Sequence, residues 1–431
     1  MCKKTLDLYR HEKSKPMTKT HDSLAFQRLG LAQVPKVLLL ENIHQTAIDT
    51  FVRAGFSVDL LPKALSPPAL TEQLAGVQIL GIRSKTKLTA DVLRASKDVL
   101  AIGCFCIGTN QVDLNAANGL GIPVWNAPFS NTRSVAELIV AEIIALSRQL
   151  GDRVREMHTG TWRKVAENCF EVRGKTLGIV GYGHIGSQVS VLAESLGMHV
   201  VFFDIVQKLA IGNSQPVEEL SQLLRTADFV TLHVPATPQT QWMIGEREFG
   251  MMKKGSYLLN ASRGSVVRIP DLAKALREGP LAGAAIDVFP EEPEENTNKF
   301  VSEICGLRNV ILTPHIGGST QEAQASIGRE VAQSLCRYVV SGATQGAVNF
   351  PQVELAAVAG TYRIIHIHHN VPGVLSEVNR VVSEHRANIH SQILSTDERI
   401  GYLIMDLDQN VAREVCEKIQ SLPTSIRTRM V

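Results

Sequence analysis

Six residues constrain the fold of this chain more than any others: Gly181-Tyr182-Gly183-His184-Ile185-Gly186, set between the apolar run 177–180 and a helical stretch ending near Gly197. A strand that turns so tightly into a helix uses its first glycine for the turn. The second lets backbone approach a pyrophosphate, and the third lets helix pack on strand. The helix N-terminus then offers free N–H groups to phosphate charge. The next apolar run, 200–203, ends in Asp204, 18 residues beyond Gly186. A carboxylate there accepts hydrogen bonds from a ribose 2′-hydroxyl and repels a 2′-phosphate, so the pattern predicts NAD rather than NADP.

Around that motif, short apolar runs alternate with helical patterns, which predicts an α/β fold with parallel sheets. One series starts at 36–40 and continues through 77–82 and 100–106. A second runs from Thr176 to Thr313, with strands at 177–180, 199–203, 229–233, 257–260, 282–287 and 310–312. Ser134 and Glu137 have the spacing of a capping box, opening a helix to about Leu150. Another helical pattern covers 320–341, and the glycine-containing stretch 341–347 has the composition of a linker. Beyond it, strand, helix, strand, strand, helix and strand follow in the order of a ferredoxin-like split βαβ unit. The expected domains are a flexible tail at 1–34, a discontinuous substrate domain at 35–130 and 313–345, an inserted dinucleotide domain at 131–312, a linker at 346–360 and a regulatory domain at 361–431.

A formal charge of +2 over 431 residues leaves no broad cationic field for nucleic acid or anionic lipid. No apolar run approaches the roughly 20 residues of a membrane-spanning helix, and the first residues lack a secretory apolar stretch. None of the seven cysteines has partners at metal-ligand spacing. They are expected to be buried free thiols in a reducing compartment, and the chain to be cytoplasmic and metal-free.

Three polar residues follow strands of the second series, where open parallel sheets place their ligand crevice: Arg263 after 258–262, Glu292 after 285–290, and His315 after 312–314. Oxidising an alcohol needs a base near neutral pKa for the hydroxyl proton, which suits histidine. A carboxylate would orient its ring, and an arginine would clamp a substrate carboxylate bidentately.

These segments, with 126–128, 134–137, 233–235, 260–264, 287–293 and 313–318, resemble the D-isomer-specific 2-hydroxyacid dehydrogenases over about residues 36–340. The resemblance implies Arg263 as carboxylate binder, Glu292 as histidine partner and His315 as acid/base. It implies cofactor contacts at Gly181, Gly183, His184, Ile185, Gly186, Asp204, His233, Pro235, Ala261, Arg263, Asp287, His315 and Gly317, with Asp287 near the nicotinamide. Residues 366–375 and 387–389 further resemble an ACT domain, a small amino-acid-sensing unit.

The combination resembles the short, ACT-bearing branch of the family that opens serine synthesis. That implies reversible oxidation of 3-phosphoglycerate to 3-phosphohydroxypyruvate, serine as inhibitor and a homotetramer. Substrate contacts are then implied at Arg83, Ser84, Asn131 and Lys164, the lysine reaching a neighbouring subunit's site. Serine contacts are implied at His368, Asn370 and Asn388. By alternation, the cations of 83–87 would face a phosphate; a solvated charged loop is the plainer reading of the same residues. Two other functions stay open: a glyoxylate/hydroxypyruvate or 2-oxoglutarate reductase, and an NAD(H)-sensing corepressor-like binding protein.

Overall fold

The computed structural model describes residues 34–293, 297–408 and 411–431. The expected tail at 1–34 lies, but for Val34, outside the described residues. The described residues fall into two compact units, one of those up to 126 together with those from 328 on, and the other of those between 127 and 327.

In the first unit, β1 (Lys36–Leu40), β2 (Ser57–Leu61), β3 (Ile79–Ile82), β4 (Ala101–Cys104) and β5 (Val124–Trp125) form a parallel sheet of order β2-β1-β3-β4-β5. β1, β3 and β4 read as unbroken apolar runs because parallel strands carry helices on both faces. β2 is an exposed edge strand interrupted by Asp59, and β5 has two residues; neither carries a periodic signal, so both escape the sequence reading.

The second unit holds β6 (Thr176–Val180), β7 (His199–Phe203), β8 (Gln215–Pro216), β9 (Phe229–Leu232), β10 (Ser256–Asn260), β11 (Leu281–Ile286) and β12 (Val310–Leu312). They form a parallel sheet of order β12-β11-β10-β9-β6-β7-β8. The order reverses between β6 and β9, and such a switch point opens the crevice in which doubly wound sheets bind ligands. Leu223, Leu258, Leu272 and Ile286 fill one face of the sheet, while Ile139, Ile143, Ile179 and Phe202 fill the other.

The C-terminal residues of the first unit form an antiparallel sheet of order β14-β15-β13-β16: β13 (Thr361–His369), β14 (Ile389–Thr396), β15 (Ile400–Asp408) and β16 (Ser425–Met430). Helices Val374–Glu384 and Ala412–Gln420 cover it with Val378, Val381, Val415 and Ile419. The sheet is also tied to the rest of its unit. The buried Arg363 pairs with the buried Asp406 at 2.7 Å and donates to the carbonyls of Ser341, Leu355 and Ala356. Tyr402 donates to Gly342 O at 2.6 Å, and Arg429 to Tyr338 O and Val339 O.

Four expectations need correction. The helix expected to open on a Ser134–Glu137 box begins at Thr132; Ser134 Oγ bonds Thr320 Oγ1 and Glu137 pairs with Arg133. The expected linker at 346–360 is packed over its first half: Phe350 and Val353 are buried, and Thr344 Oγ1 donates to Pro351 O while accepting from Val353 N. Residues 313–327 stay with the second unit rather than returning to the substrate domain. The carboxylate of Asp287 holds them there, as described below. All six described cysteines are free thiols, but only Cys104 and Cys416 are buried and Cys305 is exposed.

Candidate active site

The turn after β6 is shaped by two close approaches. Gly181 has φ +93° and a side chain on it would strike His233 O, while one on Gly186 would strike Gly181 O. Helix His184–Ser195 thus starts hard against the sheet, and its first N–H groups have no acceptor within the helix. At Gly183 a side chain would meet open space, which is room for a ligand at the positive end of the helix. Asp204 accepts Tyr182 N at 2.8 Å and Val206 N at 2.9 Å. A carboxylate offers about four acceptor positions, so two remain for ribose hydroxyls. His233 lies across the switch point, its Nε2 3.0 Å from Thr231 Oγ1. Desolvation pushes its pKa down to about 3, so the ring is neutral. The His184 ring lies against Phe129, centroids 3.9 Å apart and planes tilted by 38°. These residues fit NAD.

The catalytic side chains come from three neighbouring strand ends. After β10, Asn260 Oδ1 accepts both Ser262 N and Ser262 Oγ, and its Nδ2 donates to Arg263 O. This side chain closes the turn that presents Arg263, whose Nη1 donates to Ser262 O at 2.7 Å. The following residue must be glycine, because a side chain on Gly264 would overlap the Phe289–Pro290 peptide. The loop after β11 is therefore pressed against the arginine turn. In that loop Glu292 Oε1 accepts Phe289 N at 3.1 Å, and Oε2 lies 2.8 Å from His315 Nδ1.

His315 follows β12 in the left-handed region, φ +54°, a conformation costing roughly 1–3 kcal/mol for a residue with a side chain. Its N–H donates to Asp287 O at 2.8 Å. The bond to Glu292, foremost, raises the His315 pKa above 6.5, with the charges of Glu292 and Asp287 adding to it against desolvation and Arg263. Desolvation is the largest influence on Glu292, yet the bonds from His315 and Phe289 N and the charges of His315 and Arg263 together hold its carboxyl below 4.5.

Asp287 is the hub beneath this histidine. Oδ1 accepts Thr313 Oγ1 at 2.6 Å and Ile316 N at 2.8 Å, and Oδ2 accepts Gly317 N at 2.8 Å. These bonds fix residues 313–317 to the cofactor sheet. Glu142, buried on helix Thr132–Ser147, has an Oε1 without a hydrogen-bond partner, and burial, then the Asp287 charge, pushes its pKa up to about 8. The sequence reading missed it, although a lone acid between Ile139, Ile143 and Leu146 on an apolar face was a legible sign.

The sign of its effect on stability follows from linkage. Between pH 4.5 and about 8 the unfolded chain has released this proton and the native protein still holds it, so stability falls by up to about 1.4 kcal/mol per pH unit. Glu142→Gln is expected to melt progressively higher than the parent protein as pH rises from 5 to 8. A difference in melting temperature that stays constant with pH would contradict this.

Asn131 stands at the N-cap position of the same helix without a side-chain capping bond; it is buried, its Oδ1 is unpartnered, and its amide lies against Gly318. It thus belongs with the histidine loop. Lys164 is exposed in an irregular stretch of the same unit. Pro235 O accepts Thr240 Oγ1 at 2.6 Å, which folds the segment after His233. Arg83 and Ser84 lie in the first unit, on an irregular loop after β3, so strand alternation does not set their direction. In the C-terminal sheet, His368 is buried against Gly401 with Nδ1 2.9 Å from His369 O, while Asn370 and Asn388 are exposed.

A family model described as D-isomer specific 2-hydroxyacid dehydrogenase, NAD binding domain, matches residues 140–317, and one described as AHAS small subunit-like ACT domain matches 364–427. The D-3-phosphoglycerate dehydrogenase of Dictyostelium discoideum is 54% identical over 396 residues, covering 92% of this chain and 97% of that one. The chain belongs to the D-3-phosphoglycerate dehydrogenase family. The Escherichia coli K12 member is 50% identical over 399 residues, with the same coverages. Among solved structures, D-lactate dehydrogenase from Aquifex aeolicus, complexed with NAD and lactic acid, is 27% identical with a TM-score of 0.61, covering 70% of this chain and 95% of that one. D-2-hydroxyisocaproate dehydrogenase has a TM-score of 0.66 at 24% identity, covering 73% and 100%, and speaks to the fold alone. The chain is an NAD-dependent 2-hydroxyacid dehydrogenase of this family, with an ACT domain at its C-terminus. No helix among its described residues is long and apolar enough to cross a membrane.

Proposed function

We propose that the chain catalyses the reversible oxidation of 3-phospho-D-glycerate to 3-phosphohydroxypyruvate, the first step of serine synthesis, and that serine inhibits it through the ACT domain. The observation that carries the chemistry is the 2.8 Å His315–Glu292 bond beside Arg263. Bonding Nδ1 to the carboxylate fixes the ring so that Nε2 takes the hydroxyl proton as the C2–O bond becomes a carbonyl. Glu292 stabilises the cation formed. Arg263 holds the substrate carboxylate and polarises the reacting oxygen, with Asn131 completing that end. Bound NAD supplies the acceptor for the hydride leaving C2, and Gly181, Gly183, Gly186, Asp204 and His233 line its crevice. Arg83 and Ser84 supply cation and hydroxyl for the phosphate, and Lys164 reaches the site of a neighbouring subunit.

The β13–β15–β14 register supports a serine site shared by two copies. His368 pairs with Gly401 at one end of β15, and Ile389, next to Asn388, pairs with Leu407 near the other. At about 3.3 Å per residue these ends lie roughly 20 Å apart, too far for one small amino acid to bridge within one chain. Exposed Met157, Trp162, Val165 and Phe170 fit a second covered surface and hence a homotetramer, which sedimentation equilibrium checks. A cytoplasmic location, in keeping with the free thiols, belongs to the same reading and is checked by cell fractionation.

NADH consumption is to be followed with 3-phosphohydroxypyruvate, glyoxylate and 2-oxoglutarate, each with and without millimolar L-serine. The highest kcat/KM is expected for the phosphorylated substrate, with serine suppressing it. Preference for glyoxylate would overturn the substrate assignment, and serine-insensitive turnover the regulatory one.

A further inference from the structure

We propose that Glu41 is a positioning residue for the substrate loop 83–87, an inference that rests on the reading of Arg83 and Ser84 as substrate contacts. Glu41 directly follows β1 and is buried, although it and Asn42 both adopt left-handed backbone angles, φ +64° and +51°. That conformation points its carboxylate at the loop after the neighbouring strand β3. Oε1 accepts Arg83 N at 3.2 Å and Thr86 N at 2.9 Å, and Oε2 accepts Lys85 N at 3.0 Å. Three of the loop's backbone donors therefore converge on one side chain more than forty residues earlier.

The other side of the Arg83 residue is held as well. Gln111 Nε2 donates to Arg83 O at 2.7 Å, and to Gly108 O at 3.2 Å. Residues 82 and 88 are anchored by sheet and bridge, since Ile82 pairs with Cys104 and Leu88 with Val112. Between these anchors the described backbone bonds of 83–86 run to Glu41 and Gln111. A loop that carries Arg83, Lys85 and Lys87 repels itself, and its cations spread unless its backbone is fixed. A carboxylate at its centre both fixes the backbone and offsets the charge. The consequence is preorganisation: the Arg83 side chain leaves from a fixed backbone and loses less freedom on meeting an anion.

The donor count makes the test sharp. In Glu41→Gln the volume is kept, but one oxygen becomes an NH2 group. Either orientation of the amide sets that group against at least one of the three N–H donors, so the loop must shift. In the full-length protein, assayed with 3-phosphohydroxypyruvate and NADH, Glu41→Gln is expected to raise KM by about tenfold or more. The value of kcat should stay within about threefold, because His315 and Glu292 are untouched. NADH binding, read by fluorescence titration, should not change. Amide hydrogen exchange across 83–87 should quicken, which a general loss of stability confined elsewhere would not produce.

Arg83→Ala serves as the reference. If the parent protein or Arg83→Ala shows no dependence on this loop, the substrate reading falls and takes this inference with it. If Arg83→Ala raises KM and Glu41→Gln changes neither KM nor exchange, the substrate reading stands and Glu41 has no positioning role. Should Glu41→Gln fail to fold, Gln111→Leu, which removes the donor to Arg83 O, must raise KM in the same way; an unchanged KM there overturns the clamp.

Discussion

His315→Ala is expected to lower kcat by roughly 10³-fold in both directions, the scale of a lost general acid–base group, while leaving NADH binding unchanged. Among the described residues the imidazole is the only titratable ring placed against Glu292, and its backbone N–H and side chain are held by separate partners, Asp287 O and Glu292 Oε2. Removing the ring leaves both of those acceptors on the loop, so the crevice keeps its shape and only the proton acceptor is lost. The pH profile offers a second reading. In keto-acid reduction the ring must carry its proton, so activity holds at low pH and falls as pH rises through a pKa lifted above 6.5 by Glu292. In alcohol oxidation the ring must be free, and activity rises through the same pKa. Both limbs should vanish in the alanine variant. Turnover within tenfold of the parent protein would assign the proton to another group.

Arg263→Ala is expected to lower kcat/KM by roughly 10²–10⁴-fold, since hydrogen bonds to charged groups contribute about 1.5–3 kcal/mol each and a guanidinium makes two to a carboxylate. The loss should divide between KM and kcat, because the same group binds the carboxylate and polarises the oxygen. Arg263→Lys should recover charge but not the planar fork, and so only part of the rate. The turn is built by Asn260 and Gly264, not by the arginine side chain, so NADH affinity measured by fluorescence should be retained in both variants. An Arg263→Ala enzyme with unaltered KM and kcat would place the substrate carboxylate elsewhere.

The strands that carry these groups were legible because parallel strands buried on both faces leave apolar runs. The glycine motif was legible because its backbone contacts tolerate no side chain. His315, Glu292 and Arg263 were marked by their place after strand ends; the 2.8 Å bond between the first two rests on a left-handed turn at 315 and on the Gly264 contact with Phe289, neither of which has periodicity. Glu41 and Gln111 were invisible for a related reason. Their partners are backbone N–H and C=O groups of a distant loop, and backbone atoms leave no trace in sequence. The helix start was misplaced by three residues, the N-cap being Asn131 and not Ser134, because Ser134 and Glu137 found other partners, Thr320 and Arg133.

The bond pattern of Arg363 has a consequence for how the last seventy residues can be handled. Its guanidinium closes on Asp406 within the ACT sheet and on three carbonyls from Ser341, Leu355 and Ala356 outside it. Cutting the chain near residue 360 would strip those carbonyls of their donor and Gly342 of the Tyr402 hydroxyl, leaving bare acceptors where the helix Gln321–Ser341 ends. The C-terminal sheet is thus riveted to the rest of its own unit by polar bonds to main chain, and β13 and β15 are both fastened to the C-terminal end of that helix.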